Sequence, residues 1–256
     1  MKEESVKNKI AWEYRAYEFW HSHYGDPKDK AKEIKRDPLK CLKSHQKYFH
    51  NIKDLKIANL CGSNGRKAVP LAIMGAQVTV FDISEENMKY ALELAKSAET
   101  IIDYVVGDIY DIDIQVYGNY FDILYLEGGI LHYFSDINQF AKILYQISKK
   151  NAKLILSDFH PYRKIIPIGQ GNCSSLHTGG DYFESDIHDG EVAYAGQFHC
   201  DEQKDFPKCK LRYYTLSEII NAVINASFVL KEFIEHPSWN DNKIPGEFTI
   251  YAEKLE

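Results

Sequence analysis

The chain has 256 residues and a formal net charge of -6, with 45% hydrophobic and 27% charged residues, which is typical of a globular protein with one large domain, with or without an extension. The negative charge argues against a protein held on nucleic acid by phosphate contacts. No apolar run is long enough to cross a bilayer. We therefore expect a cytoplasmic protein with no nucleic-acid or membrane partner, and its oligomeric state stays open.

The N-terminal part of the chain is predicted to be helical. Aromatic residues recur at helical spacing over residues 7–24, and a second helix is expected at about 39–50. We interpret residues 1–54 as a helical extension that covers a ligand as a lid, with Tyr17 and Trp20 as candidate substrate contacts. Packing within the extension is the alternative use of these aromatic side chains.

From residue 55 onward, predicted strands alternate with predicted helices, the pattern of a parallel sheet covered on both faces. The predicted strands are about 56–60, 77–81, 102–106, 121–126, 153–159, 228–235 and 247–253. The predicted helices are about 65–74, 85–97, one from the Ser135-Asp136 cap to about 149, and one from the capping box Thr215–Glu218 to about 226. The last two strands are joined by a hairpin loop.

Residues 161–210 interrupt this alternation after the fifth strand. The segment contains prolines, glycines, histidines, cysteines and short alternating runs, and it is too long for a plain connection. We predict a functional insertion, and a substrate cap is one use for it. Its histidine and cysteine spacing matches no common zinc pattern, so no metal site is expected.

The segment Lys56–Ser84 has the order strand, tight turn, helix, strand, acid. The turn from Cys61 to Gly65 consists of small residues that let the backbone approach a ligand. Asp82 ends the second strand, where a carboxylate can accept hydrogen bonds from both hydroxyls of a ribose. Nicotinamide-dependent dehydrogenases share this unit, but their Gly-x-Gly-x-x-Gly fingerprint is absent here.

Three further features favour a different nucleotide-type cofactor. Asp108 follows the third strand, where it can accept a hydrogen bond from an adenine amino group. The fourth strand runs into Gly128 and Gly129 and then a polar loop, at the edge of the sheet where ligands of α/β proteins bind. The final hairpin is a feature that simple dehydrogenases lack.

With these motifs, residues 55–160 and 211–256 resemble class I (Rossmann-like) S-adenosylmethionine-dependent methyltransferases of the small-molecule type. The resemblance implies an α/β, doubly wound, mostly parallel seven-stranded sheet with an antiparallel last strand. It implies that the domain 55–256 binds S-adenosyl-L-methionine, transfers the methyl group in line to a small organic acceptor, and releases S-adenosylhomocysteine. The cofactor-binding residues that it implies are Leu60, Cys61, Gly62, Ser63, Gly65, Asp82, Ile83, Gly107, Asp108, Ile109, Glu127 and Gly128.

The first motif departs from the family pattern acid-x-Gly-x-Gly-x-Gly. The corresponding residues are Asn59, Cys61, Ser63 and Gly65, so one glycine is kept and the acid is replaced by a neutral amide. Cysteine and serine are small, but they adopt positive φ less readily than glycine. A non-catalytic, methyltransferase-like binding protein is therefore one alternative, and a nicotinamide-dependent Rossmann oxidoreductase is the other.

His132 is the first candidate catalytic base, because it lies five residues after Glu127 in the loop that follows the fourth strand. His160, at the end of the fifth strand, is the second candidate. Tyr133 is a candidate substrate contact. The use of a base stays open, because alignment alone can contribute about 7–11 kcal/mol in favourable cases.

Overall fold

The computed structural model describes residues 1–165 and 180–255. In chain order its helices are α1 Glu3–Glu13, α2 Ala16–Tyr24, α3 Pro27–Arg36, α4 Ala68–Ile73, α5 Glu85–Ser97, α6 Ile114–Tyr117, α7 Ile137–Ile147, α8 Cys200–Gln203 and α9 Leu216–Asn225. Its strands are β1 Lys56–Leu60, β2 Gln77–Asp82, β3 Asp103–Val106, β4 Phe121–Glu127, β5 Ser148–Phe159, β6 His188–Gly190, β7 Cys209–Leu211, β8 Val229–Pro237 and β9 Pro245–Glu253. Short 3-10 helices occupy Leu39–Tyr48, Ile109–Asp111, Leu131–Tyr133, Pro161–Lys164 and Ala195–Gln197.

The main sheet has seven strands in the order β3-β2-β1-β4-β5-β9-β8. Strands β1 to β5 are parallel, and β9 is antiparallel to both of its neighbours, β5 and β8. The predicted fold class, with its antiparallel last strand, is therefore confirmed. The small antiparallel pair β6–β7 lies in the predicted insertion, of which residues 166–179 lie outside the described residues.

Each face of the main sheet buries its own hydrophobic core. One core joins the sheet to α4, α5, the N-terminal helices and part of the insertion, and the other joins it to α7 and α9. Strand β4 contributes Tyr125 to the first core, and Leu124 and Leu126 to the second, because successive side chains of a strand point to opposite faces. The carboxyl ends of β1 to β4 thus share one edge, between two fixed layers.

Helix α5 has the predicted bounds because its start is strongly specified. The Ser84 hydroxyl oxygen accepts a hydrogen bond from the backbone N–H of Asn87 at 3.2 Å. Glu85 and Glu86 occupy the first turn, where the helix dipole favours negative charge. This helix start follows directly on Asp82 and so fixes the surroundings of that carboxylate.

The N-terminal extension differs from its prediction in three places. The helix expected over residues 7–24 is interrupted at Arg15, whose φ of 55° is left-handed. The charged residues that follow form α3, since Asp26 caps the helix and Pro27 begins it. The helix expected at 39–50 is a 3-10 helix, kinked at Lys43 with a φ of 50°. Tertiary contacts account for the first break: the Tyr194 hydroxyl donates to the backbone oxygen of Tyr14 at 2.8 Å, just before the interruption.

Helix α1 connects two distant parts of the chain. The Asn8 side-chain amide donates to the backbone oxygens of Tyr133 and Lys210, each at 3.2 Å, and its oxygen accepts from the Lys210 N–H at 2.7 Å. Asn8 is buried. The extension is therefore anchored to the loop after β4 and to the insertion, although a lid function for residues 1–54 stays a prediction.

Within the described residues, none of the helices combines the length and the apolar character that a bilayer-spanning helix needs.

Replacing Thr215 by alanine should lower the free energy of unfolding by about 0.5–2 kcal/mol. The Thr215 hydroxyl accepts from the Glu218 N–H at 3.2 Å, and the Glu218 carboxylate accepts from the Thr215 N–H at 2.8 Å. Urea denaturation measures the change. Thr215→Ser is the matched control because it keeps the capping oxygen, and an equal loss in both variants would contradict the capping role.

Candidate active site

In the turn after β1, every second residue has a left-handed backbone conformation. The φ angles of Cys61, Ser63 and Gly65 are 51°, 48° and 77°. A side chain at Gly65 is excluded, because its Cβ would lie 2.8 Å from the Cβ of Ala91 on α5. Left-handed backbone costs an ordinary residue about 1–2 kcal/mol. The turn therefore keeps the conformation of a glycine-rich motif at two positions where the sequence has cysteine and serine.

Asp82 holds this turn against the start of α5. Its Oδ2 accepts from the Ser63 N–H at 2.9 Å, and its Oδ1 accepts from the Ser84 N–H and from the Asn87 side-chain amide, each at 3.0 Å. Burial raises the pKa of this carboxyl, and the hydrogen bonds from Asn87, Ser84 and Ser63 oppose that shift. The predicted ribose acid is therefore buried and has three protein donors.

Trp20 lies next to this group. Its indole N–H donates to Asn87 Oδ1 at 2.7 Å, and the same Asn87 amide donates to Asp82. Tyr17 points elsewhere on α5, where its hydroxyl donates to Glu93 at 2.6 Å. The contacts thus place Trp20 near the predicted cofactor site and give Tyr17 a packing position, while the substrate-binding role of each stays a prediction.

The carboxyl end of β3 has an acceptor without a partner. Asp108 Oδ1 accepts from the Tyr110 N–H at 3.0 Å, whereas the buried Oδ2 has no hydrogen-bond partner. Beside it, the Gly107 N–H donates to the backbone oxygen of Asp82 at 2.8 Å. A Cβ added to Gly107 would meet no atom within 4 Å, so open space lies beside this residue. Ile109 is buried in the core behind.

The carboxyl end of β4 has an ion pair. Glu127 Oε2 accepts from Lys67 Nζ at 2.8 Å and from the Tyr125 hydroxyl at 2.6 Å. Burial acts to raise the pKa of Glu127, but the charge of Lys67 and the two hydrogen bonds outweigh it, and the pKa lies below its usual value. Burial lowers the pKa of Lys67. The next residue, Gly128, has a φ of 100° and open space where a Cβ would lie.

Sequence reasoning missed the neighbours of Glu127. His45, from the N-terminal extension, lies with Nδ1 3.0 Å from the Tyr125 hydroxyl and Nε2 3.2 Å from the Thr249 hydroxyl. Burial lowers the pKa of His45 to about 4, so the ring is neutral at neutral pH. Neither Lys67 nor His45 has a sequence signal, because a lysine before a helix and a histidine between lysines resemble surface residues.

His132 lies in the loop after β4, with its ring 4.2 Å from that of Tyr133 and 6.0 Å from that of Tyr213, measured between centroids. Burial, followed by the charges of Arg163 and His188, lowers the pKa of His132 to about 4. The imidazole is therefore unprotonated at neutral pH, but it is a weaker base than a free histidine. Its catalytic role stays a prediction.

Asp158 fixes this loop from the end of β5. Its Oδ2 accepts from the backbone N–H groups of Ile130 and Leu131 at 2.9 and 2.8 Å. Burial raises the pKa of Asp158 to about 6. Since Leu131 begins the 3-10 turn that contains His132, Asp158 orients that turn.

His160, the second candidate base, makes contacts that stabilise the local backbone. His160 Nδ1 accepts from the Tyr162 N–H at 3.1 Å and caps the following 3-10 turn. Its Nε2 lies 3.0 Å from Glu235 Oε1, in a contact too poorly aligned to be a hydrogen bond. Tyr133 packs edge-to-face on Trp12 at 5.6 Å between centroids. The predicted roles of both residues stay predictions, and their contacts support packing and capping.

Unsatisfied polar atoms concentrate at the predicted cofactor site. In residues 1–165 and 180–255, the buried side-chain atoms without a hydrogen-bond partner are Asn59 Oδ1, Ser63 Oγ, Arg66 Nε, Asp108 Oδ2 and His160 Nε2. The first three lie on β1 and the turn that follows it, and the fourth lies just after β3. Buried polar groups are nearly always satisfied in folded proteins, so this cluster marks a place for a polar ligand. The same part of the chain contains no cluster of three or more His, Cys, Asp and Glu side chains that could hold a metal ion.

Ser63→Gly should raise the free energy of unfolding by about 1 kcal/mol, the excess of left-handed strain over the entropy cost of glycine. The variant also removes a buried hydroxyl without a partner. Ser63→Ala is the control, since it removes the hydroxyl and keeps the Cβ. Chemical denaturation of both variants measures the difference, and equal stability of the two would contradict the strain assignment.

His132→Gln should flatten the fall in stability between pH 6.5 and about 4. The pKa of His132 is about 4 in the folded chain and near 6.5 in the unfolded chain, so within this window the unfolded state binds the proton more tightly and acid destabilises the native protein. Denaturation series at several pH values measure the slope. A wild-type slope in His132→Gln would contradict the assignment.

Comparison with known proteins agrees with this geometry. Residues 59–156 match the family model described as a methyltransferase domain. None of the curated proteins searched matches the chain.

Solved structures resemble the whole fold. A candidate S-adenosylmethionine-dependent methyltransferase from Listeria monocytogenes is 18% identical, with 84% of this chain and 98% of that chain covered and a TM-score of 0.64. An S-adenosylmethionine-dependent methyltransferase from Mesorhizobium loti is 17% identical, with coverages of 82% and 97% and a TM-score of 0.60. Magnesium protoporphyrin IX methyltransferase from Synechocystis PCC 6803, solved with S-adenosylhomocysteine, is 14% identical, with coverages of 98% and 100% and a TM-score of 0.63. Residues 59–156 thus match a methyltransferase domain, and the solved structures share the predicted class I, Rossmann-like fold.

Proposed function

We propose that this chain transfers the methyl group of S-adenosyl-L-methionine to a small organic acceptor at the carboxyl edge of β1 to β4. The observation that carries the proposal is the cluster of unsatisfied buried polar atoms at that edge, on Asn59, Ser63, Arg66 and Asp108. When bound, the cofactor supplies a methyl group activated by a sulfonium. We also propose a cytoplasmic location, which is an expectation from the sequence alone.

The side chains at this edge fit the chemical groups of the cofactor. Asp108 Oδ2 is an acceptor without a donor, as an adenine amino group requires. Asp82 accepts three hydrogen bonds, and a carboxylate has about four acceptor positions, so one position is left for a ribose hydroxyl. Gly107 and Gly128 leave open space at the ends of β3 and β4.

The acceptor side is formed by the loop after β4 and by residues that follow β5. His132 and Tyr133 lie in that loop. The Arg163 guanidinium carbon lies 4.1 Å from the ring centroid of Phe159 and 5.3 Å from that of Trp239. Aromatic and cationic side chains together suit an organic molecule with apolar parts.

The chain's own contribution to catalysis is alignment and the exclusion of water. Helix α1 is anchored by Asn8 to both the loop after β4 and the insertion, which supports a covering role for it. Asp158 fixes the orientation of the loop that holds His132. Such fixed geometry lowers the entropy cost of in-line displacement. At neutral pH, the neutral His132 ring is able to accept a proton from the acceptor.

One of the solved structures supports a small acceptor. The Synechocystis neighbour is named for a small-molecule substrate, which agrees with this class. The antiparallel β9 next to β5 and the match of residues 59–156 favour a methyltransferase over the dehydrogenase alternative.

Asp82→Asn should weaken S-adenosylhomocysteine binding by about 1.5–3 kcal/mol, because it removes a charged hydrogen-bond acceptor. Isothermal titration calorimetry measures the affinity, and thermal denaturation without ligand reports damage to the turn. Asp103→Asn is the control, since this exposed residue begins β3 at the opposite edge of the sheet. Unchanged affinity would show that the ribose assignment is wrong. A wild-type protein that fails to bind S-adenosylhomocysteine would contradict the proposed function itself.

A further inference from the structure

We propose that the Lys67–Glu127 ion pair binds the amino-acid end of the cofactor, with Glu127 receiving its ammonium and Lys67 its carboxylate. The inference rests on the proposed function and extends it to a residue, Lys67, that no sequence motif indicates. An α-amino acid carries both charges, so its site needs an acceptor of each sign.

Each partner of the pair has a bonding position left. Lys67 Nζ contacts Glu127 Oε2 at 2.8 Å and the backbone oxygen of Cys41 at 2.9 Å, which uses two of its three N–H groups. Glu127 Oε2 receives the contacts from Lys67 and from the Tyr125 hydroxyl. Within residues 1–165 and 180–255, no group donates to its Oε1, and this atom is not among the buried unsatisfied atoms, so it reaches open space. A zwitterion can therefore be bound while the ion pair stays intact.

The surroundings hold both charges in place. The Lys67 and Glu127 side chains are 15% and 21% exposed, so their charges are screened less than those of surface pairs. The Tyr125 hydroxyl fixes Glu127, and His45 lies within hydrogen-bonding distance of that hydroxyl. Gly128 leaves open space directly after Glu127. The pair is thus preorganised in partly buried surroundings, where a charged ligand gains more from it than at the open surface.

Asn59 and Asp82 are less suited to this role. Asn59 is neutral, is 2% exposed, and donates its amide to the backbone oxygen of Tyr125. It pairs in register with Tyr125, so Glu127 lies two residues nearer the ligand edge on the adjacent strand, roughly 6.6 Å further along. Asp82 already accepts three hydrogen bonds, and the proposed function assigns its remaining position to a ribose hydroxyl. Lys67 and Glu127 therefore offer one free bonding position of each sign within a single ion pair. Arg66 is a further cation beside Lys67, and its buried Nε has no hydrogen-bond partner among the described residues.

Three ligands separate this role from a structural one when they are titrated into the full chain by calorimetry. S-adenosylhomocysteine has the complete amino-acid end, S-adenosyl-3-thiopropylamine lacks the carboxylate, and 5′-methylthioadenosine lacks both charged groups. We expect Glu127→Gln to weaken binding of the first two ligands at least tenfold. Its affinity for methylthioadenosine should stay within twofold of the wild-type affinity. Lys67→Met should weaken S-adenosylhomocysteine alone, and Lys67→Arg should keep most of its affinity.

A second ion pair in the same strand provides the control. Lys149 Nζ lies 2.7 Å from Asp122 Oδ1 at the opposite end of β4, and Lys149→Met and Asp122→Asn should leave all three affinities unchanged. The inference is overturned if Glu127→Gln and Lys67→Met bind S-adenosylhomocysteine like the wild type. It is also overturned if both variants lower the affinity for all three ligands equally, because that result indicates that the ion pair only stabilises the fold of the site. Wild-type protein that binds none of the ligands would instead overturn the proposed function.

Discussion

The carboxylate of Asp82 is the contact on which the rest of the site depends. It connects the turn after β1, through the Ser63 N–H, to the start of α5, through the Ser84 N–H and the Asn87 amide. A buried carboxylate is costly unless it is hydrogen-bonded, so the acid and its donors require one another. Asn87 in turn accepts from Trp20 at 2.7 Å, which extends the same chain of hydrogen bonds to the N-terminal helices.

This constraint explains how the turn tolerates its sequence. Ser63 is left-handed, and its N–H is bonded to Asp82 while its carbonyl accepts from the Tyr104 hydroxyl at 2.8 Å. Strained backbone persists where surrounding contacts over-determine it. Glycine is required at Gly62, where a Cβ would lie 2.7 Å from Cγ1 of Val80, and at Gly65, where α5 approaches. Cys61 and Ser63 can therefore replace glycines without loss of the conformation, and the departures from the motif carry no argument against the fold.

Elements with local signals could be predicted from the sequence, and those fixed by distant contacts could not. Helix α5 has the bounds that its serine cap and acidic first turn indicate, and α9 begins at its capping box. The break at Arg15 has no such signal, because it depends on a hydroxyl of Tyr194 in the insertion.

The same distinction holds within the site. Asp82 and Asp108 follow strands with clear hydrophobic patterns, so a motif can predict them. Lys67 and His45 reach Glu127 only after the turn and the N-terminal extension have folded onto β4. The cofactor-motif residues can therefore be predicted from the sequence. The residues that surround Glu127 are known only from the tertiary structure.

The N-terminal extension and the insertion, which together are the proposed cover of the site, are joined by hydrogen bonds. Asn8 joins α1 to Tyr133 and to Lys210, and the Tyr194 hydroxyl donates to the backbone oxygens of Ala11 and Tyr14 at 3.1 and 2.8 Å. In the proposed function, a ribose hydroxyl that reaches Asp82 shares the carboxylate with Asn87, whose other end binds Trp20. Cofactor and cover therefore act on one hydrogen-bond chain. Any change of cofactor affinity caused by the cover must then be matched by an equal effect of the cofactor on the cover, because coupling free energies are reciprocal.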